Sequence, residues 1–184
     1  LGIENEYNLN KKIKLHKVKN INNNSTINII NNIKPDLIFV FGTSFIKKNI
    51  LSKFNCIAIN LHSGISPNYR GEGIIPPLAF KDFDNLGVTI HLLNEKSDSG
   101  DIFYIKRIKI DTLDNFYSIH LKTIKEGVIL FKKTYYDFLE NKQISKKQNL
   151  YNGNLYGKKF MKNNLNFYFK AWKNLEDYKS KNLL

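Results

Sequence analysis

The sequence contains little cysteine and no long apolar run. One of its 184 residues is cysteine, Cys56, which excludes a disulfide framework and a metal site built from cysteines. Because Cys56 lies in an apolar run, we expect a buried structural thiol. No apolar stretch approaches the ~18 residues that cross a bilayer, and no signal-peptide pattern opens the chain. These absences favour a cytoplasmic protein without a membrane partner.

Acidic residues are also scarce. Lys and Arg number 29 against 16 Asp and Glu, so the formal net charge is +13 at pH 7. A charge of this sign permits binding to nucleic acid, an anionic membrane or a phosphorylated ligand where it is clustered. The lysines are instead spread along the whole chain, which favours a solvated basic surface. With 42% hydrophobic residues, the composition is typical of a folded globular protein.

The order of the apolar segments predicts an α/β protein. A continuous apolar strand at 36–41 precedes a helix over 46–54, capped by Thr43 or Ser44, and a second strand at 56–60. This order predicts a right-handed βαβ unit. Further along, the pattern predicts a short helix at 78–83, strands at 87–93 and from 102, and one amphipathic helix over 114–140. The predicted fold is a Rossmann-like open, mostly parallel sheet with flanking helices.

The two ends of the chain are less regular. Residues 12–18 alternate like a half-buried strand, and Ser25 or Thr26 can cap a helix that ends before Pro35. Residues 141–184 interleave basic and aromatic residues, a composition that can stack on nucleic-acid bases. We favour the simpler interpretation that the aromatic residues fix a short C-terminal extension against the domain.

Three polar side chains carry the candidate chemistry. Asn60 and His62 are one residue apart at the end of a predicted strand, so an extended backbone directs both to the same side. Asp98 lies in a turn after the next strand, and adjacent parallel strands would bring that turn beside Asn60. The Gly- and Pro-rich loop at 62–77 follows the strand where ligands bind in open α/β sheets. Taken singly, each motif also has a structural explanation, since Asp, Ser and Gly favour turns.

Together these motifs resemble a known family. The matching blocks are Asn60-Leu61-His62-Ser63-Gly64-Ile65-Ser66-Pro67, Tyr69-Arg70-Gly71, Gly87-Val88-Thr89-Ile90-His91 and Asp98-Ser99-Gly100-Asp101-Ile102. Their order and spacing resemble the signature of the formyltransferases that use 10-formyltetrahydrofolate. That family includes methionyl-tRNA, glycinamide ribonucleotide and sugar-nucleotide formyltransferases. The clear resemblance covers residues 34–110.

The resemblance implies a role for each residue. Asn60, His62 and Asp98 would form the catalytic trio, with 10-formyltetrahydrofolate as co-substrate and no metal. The Asn60 amide and a protonated His62 would stabilise the oxyanion of the tetrahedral intermediate, while Asp98 orients His62 and accepts a proton. The implied folate contacts are Phe45, Ile46, Gly64, Ile65, Ser66, Pro67 and Asn94, and the implied acceptor contacts are Tyr69 and Arg70.

The acceptor is less defined than the chemistry. We favour the amino group of a nucleotide-linked amino sugar, because His62-Ser63-Gly64 and the 87–91 block look closer to the sugar-modifying branch. Methionine bound to tRNA is the first alternative, which the basic aromatic tail keeps open. Transfer to water is a second, and an inactive fragment or a folate-binding module is a third. Where relatives have Ser-Leu-Leu-Pro, this chain has Gly64-Ile65-Ser66-Pro67, which leaves both the acceptor and the folate contacts open.

The resemblance also implies a domain organisation. Family members begin with a strand, a Gly-rich turn and a helix that we do not find before residue 12, so we expect the first βα unit to be missing. We assign residues 1–145 to a catalytic domain and residues 146–184 to a basic aromatic extension. A homodimer is a further expectation that the sequence leaves open.

Overall fold

Six helices, six strands and two 3-10 turns lie between residues 13 and 182, the part of the chain that the computed structural model describes. In chain order they are α1 (Asn24–Ile33), β1 (Leu37–Val40), α2 (Lys48–Leu51), β2 (Ile57–His62), β3 (Tyr69–Gly71), α3 (Ile75–Ala79), a 3-10 turn (Phe83–Asn85), β4 (Gly87–Leu92), β5 (Ile102–Arg107), α4 (Phe116–Leu139), a 3-10 turn (Leu150–Asn152), β6 (Asn154–Tyr156), α5 (Lys158–Asn163) and α6 (Asn166–Asn182).

Four strands form one mixed sheet in the order β1-β2-β4-β5. β1 and β2 are parallel, whereas β4 is antiparallel to both β2 and β5. The α/β class, with an open sheet and flanking helices, is confirmed. The expectation that β4 runs parallel beside β2 is wrong. A parallel crossover usually returns through a helix about as long as the strand, and the five-residue α3 covers only about 7.5 Å of the roughly 20 Å that β4 spans.

Helices cover both faces of the sheet near β1 and β2. Alternate residues of a strand point to opposite faces, so Leu37 and Phe39 meet α4, and the Phe39 ring lies 4.5 Å from that of Phe131. On the other face, Ile38 and Val40 pack with residues of α1 and α2, including Ile50. Burial of these side chains is the main term that fixes the helices on the sheet.

The C-terminal part of the chain packs against the rest. β6 pairs in parallel with β3, and α6 lies against α3. Ala171 and Leu175 of α6 are fully buried in a cluster with Leu78 and Ile119. The aromatic residues of this cluster are Tyr69, Phe83, Phe116, Tyr156, Phe160, Phe167 and Tyr178. This packing favours the interpretation that aromatic residues of the extension fix it to the domain.

Two predicted features near the N-terminus do not form as expected. Residues 13–18 are irregular and exposed, so no strand forms there, and residue 12 lies outside the described range. α1 begins earlier than predicted, after Asn23, and neither Ser25 nor Thr26 caps it, since Thr26 instead donates to the Asn20 carbonyl. The helix ends at Ile33 before Pro35, as predicted.

The helix predicted over 46–54 is shortened to α2. Its N-cap is Lys47 rather than Thr43 or Ser44. The Asn22 side chain explains the difference, because its amide donates to the Phe45 carbonyl at 2.9 Å and its oxygen accepts from the Lys47 amide at 2.8 Å. These bonds hold the segment before α2 in an extended conformation. A contact from 25 residues away overrides the local helical spacing.

The short helix expected at 78–83 forms earlier, as α3. Pro76 occupies one of its first positions, where the fixed φ of proline suits a helix and its missing N–H costs nothing. By contrast, α4 begins close to its predicted start. Asn115 caps it by accepting from the Ser118 amide, and the Ser118 hydroxyl accepts from the Asn115 amide in a reciprocal capping box.

Cys56 departs from its expectation as well. The thiol was expected to be buried, but Cys56 is only half-buried and lies just before β2. β1 is an edge strand of the described sheet, so the segment beside it lacks the cover that a central position would provide.

Candidate active site

Asn60 and His62 occupy alternate positions at the end of β2 and face the same side, as the sequence predicts. Asp98 follows β4 in a turn and adopts a left-handed backbone conformation, with φ of 47°. The antiparallel register places Asn60 opposite His91. The turn carrying Asp98 then folds back over this pair, so the structure brings the three predicted catalytic residues together by a different route from the one expected.

The Asp98 carboxylate is the centre of the cluster. Its Oδ1 lies 3.4 Å from the Asn60 amide nitrogen, 3.7 Å from His62 Nδ1 and 3.5 Å from His91 Nε2. Its Oδ2 accepts hydrogen bonds from the Gly71 amide at 2.8 Å and the Ser97 hydroxyl at 3.0 Å. With donors on both oxygens, the carboxylate is held in one orientation.

These contacts set the charge of Asp98. Burial raises the pKa of the carboxyl, but the positive potential of His62, the hydrogen bond to His91 and the Gly71 amide together outweigh burial and hold the pKa well below its usual range. Asp98 is therefore a carboxylate at neutral pH, suited to stabilise a positive imidazole beside it.

His62 is buried, and its two ring nitrogens have different partners. Nε2 lies 2.6 Å from the Tyr69 carbonyl oxygen, and because a carbonyl only accepts, Nε2 carries a proton and donates it. Nδ1 faces Asp98. In the neutral ring Nδ1 is consequently the basic nitrogen, and taking up a proton there forms an ion pair with Asp98.

His91 is a member of the site that the sequence interpretation missed. Its Nδ1 donates to the Leu92 carbonyl at 2.7 Å, so Nε2 accepts from the Asn60 amide at 3.2 Å in the neutral ring and donates to Asp98, 3.5 Å away, in the protonated ring. The side chain is fully buried. An antiparallel pairing of the 87–91 block with β2 would have revealed it, because residues opposite each other project to the same face.

The Asp98 turn is held by two further side chains. Gln148, from the segment after α4, donates its amide to the carbonyl oxygens of Asp98 at 3.2 Å and Gly100 at 2.5 Å. The Ser66 hydroxyl also donates to the Asp98 carbonyl, at 3.2 Å. A left-handed non-glycine residue persists when surrounding contacts fix it, and these bonds supply such contacts.

A cavity of about 930 Å³ opens beside the trio. Asn60, His62 and Asp98 all line it. A smaller cavity of about 320 Å³ shares the His62 wall and is bordered on its far side by His120 of α4. His62 thus stands between two spaces, an arrangement that suits a reaction between two substrates.

The predicted folate contacts divide into two groups. Phe45, Ile46 and Asn94 line the larger cavity, where Ile46 is buried and Phe45 is 53% exposed. The other predicted contacts, Gly64, Ile65, Ser66 and Pro67, are not part of its wall. That turn is buried behind the site, where the Thr89 hydroxyl donates to the Gly64 carbonyl and accepts from the Ser66 amide. That this turn borders the pterin stays a prediction.

The predicted acceptor contacts, Tyr69 and Arg70, also lie outside the cavity wall. The Tyr69 side chain is buried, and its hydroxyl donates to Asp82 at 2.6 Å. Burial, together with that hydrogen bond, raises the pKa of the Tyr69 phenol. Tyr69 contributes its backbone carbonyl to His62, and its contact with the acceptor stays a prediction. Arg70 is half-buried in β3.

Neither a metal-binding group nor a membrane-spanning helix is found among the described residues. Among residues 13–182 no group of three His, Cys, Asp or Glu side chains is arranged to hold a metal ion. None of the helices found in that range combines the length and apolarity required to cross a bilayer.

Comparison with known proteins identifies the family. The family model described as formyl transferase matches residues 6–134. The chain belongs to the formyl transferase family. A methionyl-tRNA formyltransferase from Finegoldia magna is 30% identical over 141 residues, which cover 76% of this chain and 46% of that protein. The chain therefore spans less than half the length of that curated relative.

Solved structures of formyltransferases share the fold. A 4-N formyltransferase from Francisella tularensis has a TM-score of 0.65 and 25% identity over 80% of this chain and 65% of that one. An N-formyltransferase from Helicobacter canadensis, in complex with folinic acid and dTDP-3-aminofucose, has a TM-score of 0.61. It is 21% identical, over 79% of this chain and 56% of that chain, and this likeness shows the fold alone.

Proposed function

We propose that this protein transfers a formyl group from 10-formyltetrahydrofolate to an amine. The observation that carries the proposal is the convergence of Asn60, His62 and Asp98 on the wall of one large cavity. Family membership supports the reaction class. The folate co-substrate is supported by a relative with the same fold, the Helicobacter canadensis N-formyltransferase, whose structure contains folinic acid.

In the proposed reaction the acceptor nitrogen attacks the formyl carbon and forms a new C–N bond. The carbonyl π electrons move onto oxygen, and their return breaks the bond between the formyl carbon and N10 of the folate. The attacking nitrogen loses a proton and N10 gains one. Nδ1 of His62 faces Asp98 at 3.7 Å and, unlike Nε2 of His91, does not accept from the Asn60 amide, so we assign proton uptake to the His62–Asp98 pair, directly or through water.

Both predicted oxyanion donors, Asn60 and His62, already donate to acceptors within the protein. The Asn60 amide is already shared between Asp98 and His91, and the Nε2 proton of His62 is donated to the Tyr69 carbonyl. A formyl oxygen must therefore compete with protein acceptors for these donors. We assign the primary donor role to Asn60, because its contact with Asp98 is long at 3.4 Å and is the easier of these bonds to exchange.

For the acceptor we propose the amino group of a nucleotide-linked sugar. The Francisella tularensis 4-N formyltransferase is 25% identical to this chain, and the Helicobacter canadensis enzyme, which shares the fold, is in complex with dTDP-3-aminofucose. Two cavities meeting at His62 suit two separate small substrates.

Methionine carried by tRNA is the second candidate. A specific observation favours it, since the Finegoldia magna methionyl-tRNA formyltransferase is 30% identical to this chain over 141 residues. The positive net charge of +13 is also compatible with a polyanionic acceptor.

An assay with competing acceptors tests the proposal. Purified protein is incubated with 10-formyltetrahydrofolate and, in separate reactions, with dTDP- and UDP-linked amino sugars, methionyl-tRNA or no amine. We expect tetrahydrofolate to appear only with an amino sugar, with the product identified by mass spectrometry. Formylation of methionyl-tRNA alone would replace our acceptor with the second candidate. Folate turnover without any amine would indicate hydrolysis, and folate binding without turnover would indicate a binding module.

A further inference from the structure

The C-terminal segment supplies one side of the larger cavity. Lys158 and Lys162 of α5 both line it, as does Tyr168 from α6. Residues four apart lie on the same face of a helix, about 6 Å from each other, so the two lysines form one basic strip along the cavity. Lys159, on the same helix, is exposed and lies outside the wall.

This basic strip is tied to the trio through backbone pairing. Tyr156 at the end of β6 is paired with Gly71 at the end of β3, and the Glu72 amide donates to the Tyr156 carbonyl at 2.9 Å. The Gly71 amide is in turn a donor to Asp98. Because α5 begins two residues after Tyr156, the position of Lys158 is set relative to the reacting end of the cavity.

The charges of the cavity wall are unbalanced. Its lysines are Lys47, Lys96, Lys158 and Lys162, and within residues 13–182 none of them takes part in an ion pair. The wall has two carboxylates, and both accept from backbone amides: Asp98 from Gly71, and Glu72 from Ile74. The lysines consequently leave a net positive potential that an anion can neutralise.

We propose that Lys158 and Lys162 bind the anionic part of a substrate, a carboxylate or a phosphate. This inference rests on the proposed function, because both proposed substrates carry such a group at a distance from the reacting atoms. Folate ends in a glutamate with two carboxylates, and a nucleotide sugar contains a diphosphate. The strip and the trio line the same cavity, so the strip can select and orient the ligand while the trio acts on the formyl carbon.

The test compares the double variant Lys158→Ala/Lys162→Ala with Lys159→Ala, a control on the same helix. Affinities of the 184-residue chain are measured by calorimetry for tetrahydrofolate, tetrahydropteroate, which lacks the glutamate, and uridine and thymidine diphosphates. We expect the double variant to lose roughly fivefold to thirtyfold in affinity for one ligand class, because two lysine contacts are removed. The control stays within about twofold of wild type.

The arms distinguish the source of the anion. If a carboxylate is bound, tetrahydrofolate loses affinity while tetrahydropteroate binds wild type and variant equally. If a phosphate is bound, the nucleoside diphosphates lose affinity instead. Replacing both lysines with arginine should preserve binding, and equal melting temperatures show that the variants fold.

Failure of the inference is separable from failure of the proposed function. Wild type that binds folate and formylates an amine, with a double variant indistinguishable from Lys159→Ala towards every ligand, overturns the basic strip and leaves the function standing. Wild type that binds neither folate nor a nucleoside diphosphate overturns both.

Discussion

The two ends of the large cavity are built in opposite ways. At the inner end His62 and His91 are buried, Asp98 is half-buried, and all three are bonded to one another or to backbone groups, so each polar atom has an assigned partner. At the mouth Phe45, Lys158 and Lys162 are exposed, and they come from a loop and a six-residue helix. We infer that a substitution at the inner end disturbs the proposed chemical step. A substitution at the mouth would change ligand binding and leave that step intact.

The largest expected effect on the rate comes from a substitution at Asp98. In Asp98→Asn one carboxylate oxygen becomes an amide nitrogen that cannot accept a hydrogen bond, and the side chain becomes neutral, so the imidazolium of His62 loses its counter-charge. We expect kcat to fall by roughly 10²- to 10⁴-fold, the usual contribution of acid–base catalysis. Single-turnover formyl transfer measures it. Retention of more than about a tenth of the rate would contradict the assigned role.

Gln148→Ala tests whether the position of Asp98 depends on the segment after α4, whose Gln148 side chain holds the Asp98 turn. The change removes both hydrogen bonds to the turn and touches none of the three proposed catalytic side chains. We expect kcat to fall by about tenfold or more, because small displacements of a catalytic group are costly. The pH profile of kcat should also shift, which a purely structural loss would not cause. Gln143→Ala, an exposed glutamine in the same segment, is the control.

The pH dependence of the free energy of unfolding tests the charge of Asp98 at the inner end. The folded-state pKa of Asp98 is lowered below the unfolded value of about 3.9, so its stabilising contribution is present above that pH and lost as pH falls through the folded pKa. Wild type should therefore exceed Asp98→Asn in free energy of unfolding near neutral pH, and the gap should narrow at about pH 3. Asp114, whose pKa is also lowered, is common to both proteins and cancels. A gap that widens in acid would contradict the assignment.

The smallest expected effect concerns Tyr69. Tyr69→Phe removes the hydroxyl that donates to Asp82, which retains hydrogen bonds from Asn85. We expect a loss of about 1 kcal/mol in unfolding free energy and unchanged KM for both substrates, since the carbonyl that serves His62 remains. Thermal melting and steady-state kinetics test this together. A raised KM for the acceptor would instead favour the predicted contact between the Tyr69 side chain and the acceptor.

The chemistry of the inner end was predictable because it depends on residue identity at short spacing. Asn60 and His62 share a face through strand alternation alone, and the αβ class follows from continuous apolar segments. The route that brings Asp98 to them was not predictable in the same way. The connection between β2 and β4 contains only the short α3, which packs against α6 from the far end of the chain.

The site residues that we did not predict from the sequence contact residues far away along the chain. His91 joins the site only once β4 is known to be antiparallel to β2. Gln148 reaches Asp98 across 50 residues, and no local pattern distinguishes it from other polar residues of its segment. Conversely, Gly64 and Ser66 carry the family motif, yet their atoms are used to build the turn behind His62.

By itself, the sequence determined the α/β class, the family and the three polar residues at the centre of the site, because periodicity and short motifs are local properties of the chain. Tertiary structure alone decided the direction of β4, the membership of His91 and Gln148, and the entry of Lys158 and Lys162 into the cavity wall. Each of these depends on which distant segments pack together, and burial of apolar surface sets that choice without leaving a short-range pattern.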